Sequence, residues 1–306
     1  MLANFFEKTK PLNIIVLGLF FFSFSFTYFL TNKTTDYPII TCFFRTGIHA
    51  IFLLFSTIIF IKNGVSNNNL HNSFFIICFY GMFANALEET HLLYVSALFL
   101  WITQKIATLN NTESAKLTLF DIGILSGVSF LIYDWAILIM LFVYLSLIIT
   151  QKVNLENILS PLLGLLVPLF LTFTYFFFIE NVDAFYSFFD FAYNFDFSHY
   201  NSAHLQLSFY VLLFLTIVGI VVTTPKVISI SDSYRLQYLL TILLLGISSV
   251  IISLKTEKNG NELLLTFAPL SIIMGRFVQS IPKKRFKELF VIAVFAFSLF
   301  QLLRTA

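Results

Sequence analysis

Apolar runs separated by short polar breaks dominate this chain. They fall at about 12–30, 41–61, 74–87, 91–106, 117–133, 135–150, 159–179, 207–223, 236–254, 263–281 and 289–303. A helix needs about 20 apolar residues to cross a bilayer. The pattern therefore predicts an all-α, polytopic transmembrane helix bundle of about 11 spans (about 10–12). The whole chain, 1–306, reads as one integral membrane domain, since no stretch between runs is long enough for a soluble one.

Lys and Arg collect in the cytoplasmic connections of membrane proteins. With the N-terminus cytoplasmic, the inner connections hold Lys8, Lys10, Lys62, Lys105, Lys116, Lys152, Lys226, Arg235, Lys283, Lys284, Arg285 and Lys287. The outer ones hold only Lys33, Lys255, Lys258 and Arg304, while Arg45 and Arg276 fall inside spans. Asp36, Glu88, Glu89, Asp134, Glu180, Asp183, Asp190, Asp196, Glu257 and Glu262 all fall outside. That excess of acids either solubilises the outer face or marks an outward-facing polar site.

Composition sharpens the class. Apolar residues make up 58% of the chain and charged ones 11%, with 41 phenylalanines and a mean hydropathy of +0.88. Soluble domains carry roughly 25% charged residues. A net charge of +2 gives no reason to expect a nucleic-acid partner. The partner the composition does imply is the lipid bilayer.

Span length then matters. The runs 74–87 and 91–106 are shorter than the roughly 30 Å hydrocarbon core requires. Their turn, Glu88-Glu89-Thr90-His91, is expected below the outer surface, as is the turn Tyr133-Asp134-Trp135 of the next hairpin. Polar backbone at that depth is tolerated inside protein or beside water, which predicts an outward-open cavity. Arg45 and His49 are spaced to share a helix face near its mouth. An arginine at that depth calls for a carboxylate, Glu88 or Glu89; the pair would serve either a ligand or the locking of helices. Arg276, near the inner end of its span, can snorkel to lipid phosphates.

The outer connection 180–206 alternates acids and aromatics. Asp183, Ser187, Asp190 and Asn194 recur at helical spacing among phenylalanines, which predicts an amphipathic helix in the interface. Asp196, His199 and His204 are weak candidates for a divalent metal, the only cofactor the sequence suggests; such a stretch is more often an aromatic belt with incidental histidines. Gly123 and Gly127 allow close helix approach, and Pro161, Pro168 and Pro269 should bend their helices.

Two resemblances follow from these stretches. The opening from Met1 to Asn13, the run Phe120–Tyr133 and the run Leu159–Pro168 resemble an uncharacterised multi-pass inner-membrane protein family of Bacteroidota. Separately, Arg45, Glu88, Glu89, Gly123 and Gly127 stand in an order similar to the core of the GT-C membrane glycosyltransferases, which use polyprenyl-phosphate-linked sugars. That second resemblance implies an outer-face transfer with Asp36, Glu88 or Glu89 as the catalytic carboxylate. It implies Arg45 as the partner of a lipid phosphate, while the outward-open cavity and the outer loop themselves offer Arg45, His49, His91, Asp134 and His199 as ligand-binding groups. The competing expectations are a non-catalytic membrane subunit with a protein partner and, behind it, a transporter.

Overall fold

The computed structural model describes residues 2–31, 39–62, 69–109, 114–228 and 232–305. Among them every ordered element is helical, and each predicted apolar run is a helix or a helix with a short 3-10 turn. A short α1 (Leu2–Phe5) precedes α2 (Pro11–Thr31), α3 (Ile39–Lys62), α4 (His71–Met82) and α5 (His91–Ala107). Then come α6 (Ala115–Ile132), α7 (Ile139–Ile149), α8 (Leu155–Phe178) and the short α9 (Val182–Tyr186). The chain ends with α10 (Ala203–Ile228), α11 (Asp232–Leu254), α12 (Leu264–Ser280) and α13 (Lys284–Thr305).

Eight of the described helices, α2, α3, α6, α8 and α10 to α13, are long and apolar enough to cross a membrane. The other three predicted spans are shorter helices. The 12 residues of α4 reach only about 18 Å. The 3-10 turn Ala84–Glu88 then takes over, because it packs the chain more tightly as it reverses toward α5.

The chain forms two compact units. The first comprises Met1–Leu93, Asp196–Tyr238 and Lys258–Ala306. Its centre is α4, in which every residue is buried, flanked by the almost wholly buried α12. A helix that is apolar all round belongs in an interior, and beyond its polar first turn, His71-Asn72-Ser73, α4 is apolar on every face except for the Tyr80 hydroxyl. Aromatic rings fill the space: Phe79, Tyr80 and Phe83 each meet Phe267, while Phe74 meets Phe6 and Phe295.

The ends of this first unit are sorted. At one end Glu7 pairs with Lys287 at 3.1 Å, and Lys226 Nζ donates to the Ser280 carbonyl at 2.9 Å. The hydrogen bond from Lys287 holds the Glu7 carboxyl below its ordinary range. Ala3 and Phe6 are buried here, with the Leu70 N–H donating to the Phe6 carbonyl. The opposite end gathers the chain reversals that hold the polar cap described below.

The second unit comprises Tyr94–Phe195 and Leu239–Glu257. Its tightest contact is α6 on α8. A Cβ on Gly123 would lie 2.1 Å from the Pro161 carbonyl oxygen, and one on Gly164 2.1 Å from that of Phe120. Ser160 Oγ donates to the Lys116 carbonyl, and the Asn154 side chain caps the start of α8 by accepting from the Asn157 N–H. Pro161 and Pro168 sit inside α8, facing this seam.

The predicted amphipathic helix of the 180–206 connection is only partly formed. The five-residue α9 and a 3-10 turn at Ser187–Phe189 are all that coil before the chain straightens. The reason is local. The rings of Phe189 and Phe191 meet Phe130 at a tilt, Phe191 also meets Trp135, and the Trp135 indole N–H donates to the Ala192 carbonyl. Those contacts draw the backbone out of helical geometry.

Candidate functional site

A polar cap closes one end of the first unit, assembled from helix ends distant in sequence. Near the end of α2, the buried Tyr28 hydroxyl donates to Glu88 Oε1 at 2.6 Å and lies 3.3 Å from Asn85 Oδ1. The tight 3-10 turn at Ala84–Glu88 is what brings Asn85 and Glu88 to one side. From α3, Arg45 Nη1 donates to the main-chain carbonyl of Glu88 at 3.1 Å.

The turn before α12 supplies the remainder. Gly260 adopts a left-handed conformation, φ 88°, which glycine reaches without a Cβ clash. Its N–H donates to Glu262 Oε2 at 3.0 Å, and the Tyr200 hydroxyl donates to Glu262 Oε1 at 2.5 Å. Asn85 Nδ2 donates to the Asn259 carbonyl, and Asn261 Nδ2 to Glu89 Oε2. Glu262 is 0% exposed and Lys258 1% exposed, with its ammonium 4.6 Å above the ring of Phe197.

Such burial is costly for a charged group unless donors or an aromatic face meet it. The cap supplies both. Burial, with the Glu262 carboxylate beside it, pushes the Tyr200 hydroxyl well above its ordinary range. Chemically the cap offers one guanidinium and two half-buried carboxylates, Glu88 and Glu89, at a single turn.

Of the residues singled out from sequence, Arg45, Glu88 and Glu89 come together here. The contact of Arg45 with Glu88 is made through the carbonyl, while the Glu88 carboxylate is engaged by Tyr28. His49 stands apart. It is 0% exposed, and its Nδ1 lies 2.8 Å from the Tyr80 hydroxyl in the core. One turn carries it about 6 Å deeper than Arg45.

The remaining candidates are scattered. His91 is exposed at the start of α5. Asp134 belongs to the second unit, where its Oδ1 accepts from the Trp135 N–H, and partial burial raises its carboxyl above the usual range. His199 is exposed in the 3-10 turn Ser198–Asn201. Asp36 lies outside the described residues.

Asp196 turns back on its own chain, accepting from the Ser198 N–H and hydroxyl at 2.9 and 3.0 Å, which holds its carboxyl low. Among the described residues no three His, Cys, Asp or Glu side chains are grouped to hold a metal ion, Asp196, His199 and His204 included.

Sequence reasoning missed Tyr28, Asn85, Tyr200 and Asn261. Only the Asn259-Gly260 turn signal ahead of Glu262 hinted at the cap. The profile of a family described as a family of unknown function, DUF6427, matches residues 1–305. No curated protein and no solved structure matches the chain.

Proposed function

As the chain belongs to DUF6427, we propose from its own geometry that it binds a polyprenyl-phosphate-linked sugar at the outer face of a bacterial inner membrane. Its N-terminus is cytoplasmic and its apolar helices supply about 11 crossings, the short ones included. The observation that carries this reading is Arg45, held against the Glu88 carbonyl at the rim of an apolar bundle. A guanidinium fixed at that level suits a lipid phosphate, which it can grip bidentately.

If transfer occurs, the architecture is GT-C-like and a carboxylate, Asp36 or Glu88, removes the proton of an acceptor hydroxyl. The hydroxyl oxygen then bonds to the sugar's anomeric carbon as the bond to the polyprenyl phosphate breaks, and the phosphate leaves with the electron pair.

One observation favours a second reading, a non-catalytic subunit of a cell-envelope complex. Glu88, Glu89 and Glu262 are each engaged by donors of the chain itself, as in a structural lock. Purification in nanodiscs with mass spectrometry of bound lipid separates the two. Wild-type protein should carry polyprenyl lipid, Arg45→Ala should lose it while staying folded, and Arg45→Lys should keep part. Wild-type protein with no such lipid, but with a stoichiometric protein partner, would leave the subunit reading standing.

A further inference from the structure

The end of the first unit that holds the Glu7–Lys287 pair joins two basic stretches from opposite ends of the chain. Lys8 and Lys10 precede α2, while Lys283, Lys284 and Arg285 open α13, and all five are exposed. The rings of Phe20 and Phe295 lie 5.3 Å apart, which sets α2 and α13 side by side. Traced back from those rings at about 1.5 Å per residue, Pro11 and Lys284 come to within about 3 Å of one level.

The leader ahead of α2 is pinned in place. The buried Asn13 side chain donates to the Phe5 and Lys8 carbonyls at 2.6 and 2.7 Å. Besides Lys287, Lys284 acts on the Glu7 carboxylate, so it too stands near the leader. Acids do not balance the spot. Residues 2–13 and 281–289 contain only Glu7 and Glu288, which are engaged by Lys287 and by the Ala3 N–H. In the second unit, by contrast, Lys105 pairs with Asp121 and Lys116 with Glu156. Five gathered cations repel one another unless a counter-charge joins them.

The surroundings indicate the source of that charge. Leu12 on α2, and Phe286 and Leu289 on α13, are exposed apolar side chains within about a turn of the cations. A partner here meets a cationic and a hydrocarbon surface together, as a lipid does at the membrane edge.

We infer that this end binds the phosphate headgroup of an anionic glycerophospholipid, held between the leader and the start of α13. Its acyl chains would run along Leu12 and Phe286. The polyprenyl reading concerns the opposite end, and neither depends on the other. A water-borne acidic partner would gain nothing from the apolar rim.

Full-length protein, stripped of lipid in detergent, is titrated with phosphatidylglycerol and, in parallel, with phosphatidylcholine. Bound lipid is counted by native mass spectrometry. Phosphatidylglycerol should bind more tightly, and added salt should weaken it, because exposed charges are screened. Two paired variants, Lys8→Gln with Lys10→Gln and Lys283→Gln with Lys284→Gln, should each weaken it roughly twentyfold. Each cation near an anionic surface contributes a factor of about five. The lipid-free melting temperature should not change, since Lys287 and its pair with Glu7 are left intact. Lys152→Gln, which removes a lysine of the second unit, should bind as wild type does. Arginine in place of either lysine pair should restore binding.

Equal affinity for the two lipids, or an equal loss in Lys152→Gln, would overturn the site. A loss confined to one paired variant would overturn the bridging of the two stretches. Wild-type protein purified with a stoichiometric acidic protein and no anionic lipid would assign this end to that partner instead.

Discussion

Glu262 illustrates what a fully buried carboxylate demands of its surroundings. Two donors reach it, the Tyr200 hydroxyl and the Gly260 N–H. Tyr200→Phe keeps the ring and removes one donor, leaving an acceptor buried without it. Thermal unfolding in detergent should show a loss of about 1–3 kcal/mol. The pH dependence has a definite sign. Tyrosine is neutral when protonated, and the folded protein holds this proton more tightly than the unfolded chain does. The contribution is therefore complete below the ordinary tyrosine value of about 10 and is lost as pH rises above it. Wild type should lose melting temperature above that pH by an increment that Tyr200→Phe lacks. Neither partner was legible in advance as a pair. Tyr28 and Glu88, or Glu89 and Asn261, lie so far apart in sequence that no local spacing connects them. Arg45 was legible because a charge inside an apolar run is conspicuous. His49 shares its face, yet a turn of depth moved it from the rim into the core.

Helices were easier to read than their ends. Each apolar run became helical because hydrocarbon leaves the backbone no partner but itself. The aromatic stretch after α9 defeated the same logic, since period alone does not register that Phe191 and Trp135 attract each other across the fold. Between α6 and α8, glycines that sequence assigned to close packing do pack closely, against the backbone of a proline-containing helix. Gly164→Ala would drive a methyl group toward the Phe120 carbonyl, and the helices would have to separate. We expect a cost of about 1–3 kcal/mol, read as a lower melting temperature. Gly246→Ala, where a Cβ meets nothing within 4 Å, should be nearly neutral and serves as the control. A tolerant Gly164→Ala would mean that the seam yields.

On the scale of the molecule, the proposed topology, with the N-terminus cytoplasmic, expects Asn181 and Ser202 on the outer side, and Gln151 and Lys283 on the inner. Single cysteines placed there, in a background lacking Cys42 and Cys78, should label from outside at the first two positions only. The opposite pattern would invert the topology and move the polar cap to the cytoplasm. One further consequence concerns biogenesis. Ala3 leaves the ribosome 285 residues before Glu288, yet its N–H donates to Glu288 Oε2 at the start of α13. That partner follows only after α2 to α12 have been made. Until then α1 and Phe6 are held only from one side, by Phe74 and the Leu70 N–H, and stay open to proteases on the other. A chain stopped after Ile281 should thus be cleared far faster than the full-length protein in pulse-chase, with Phe6→Ser slowing the clearance. Helix α13 would in this way act as a latch, its arrival ending the exposure of α1 to quality control.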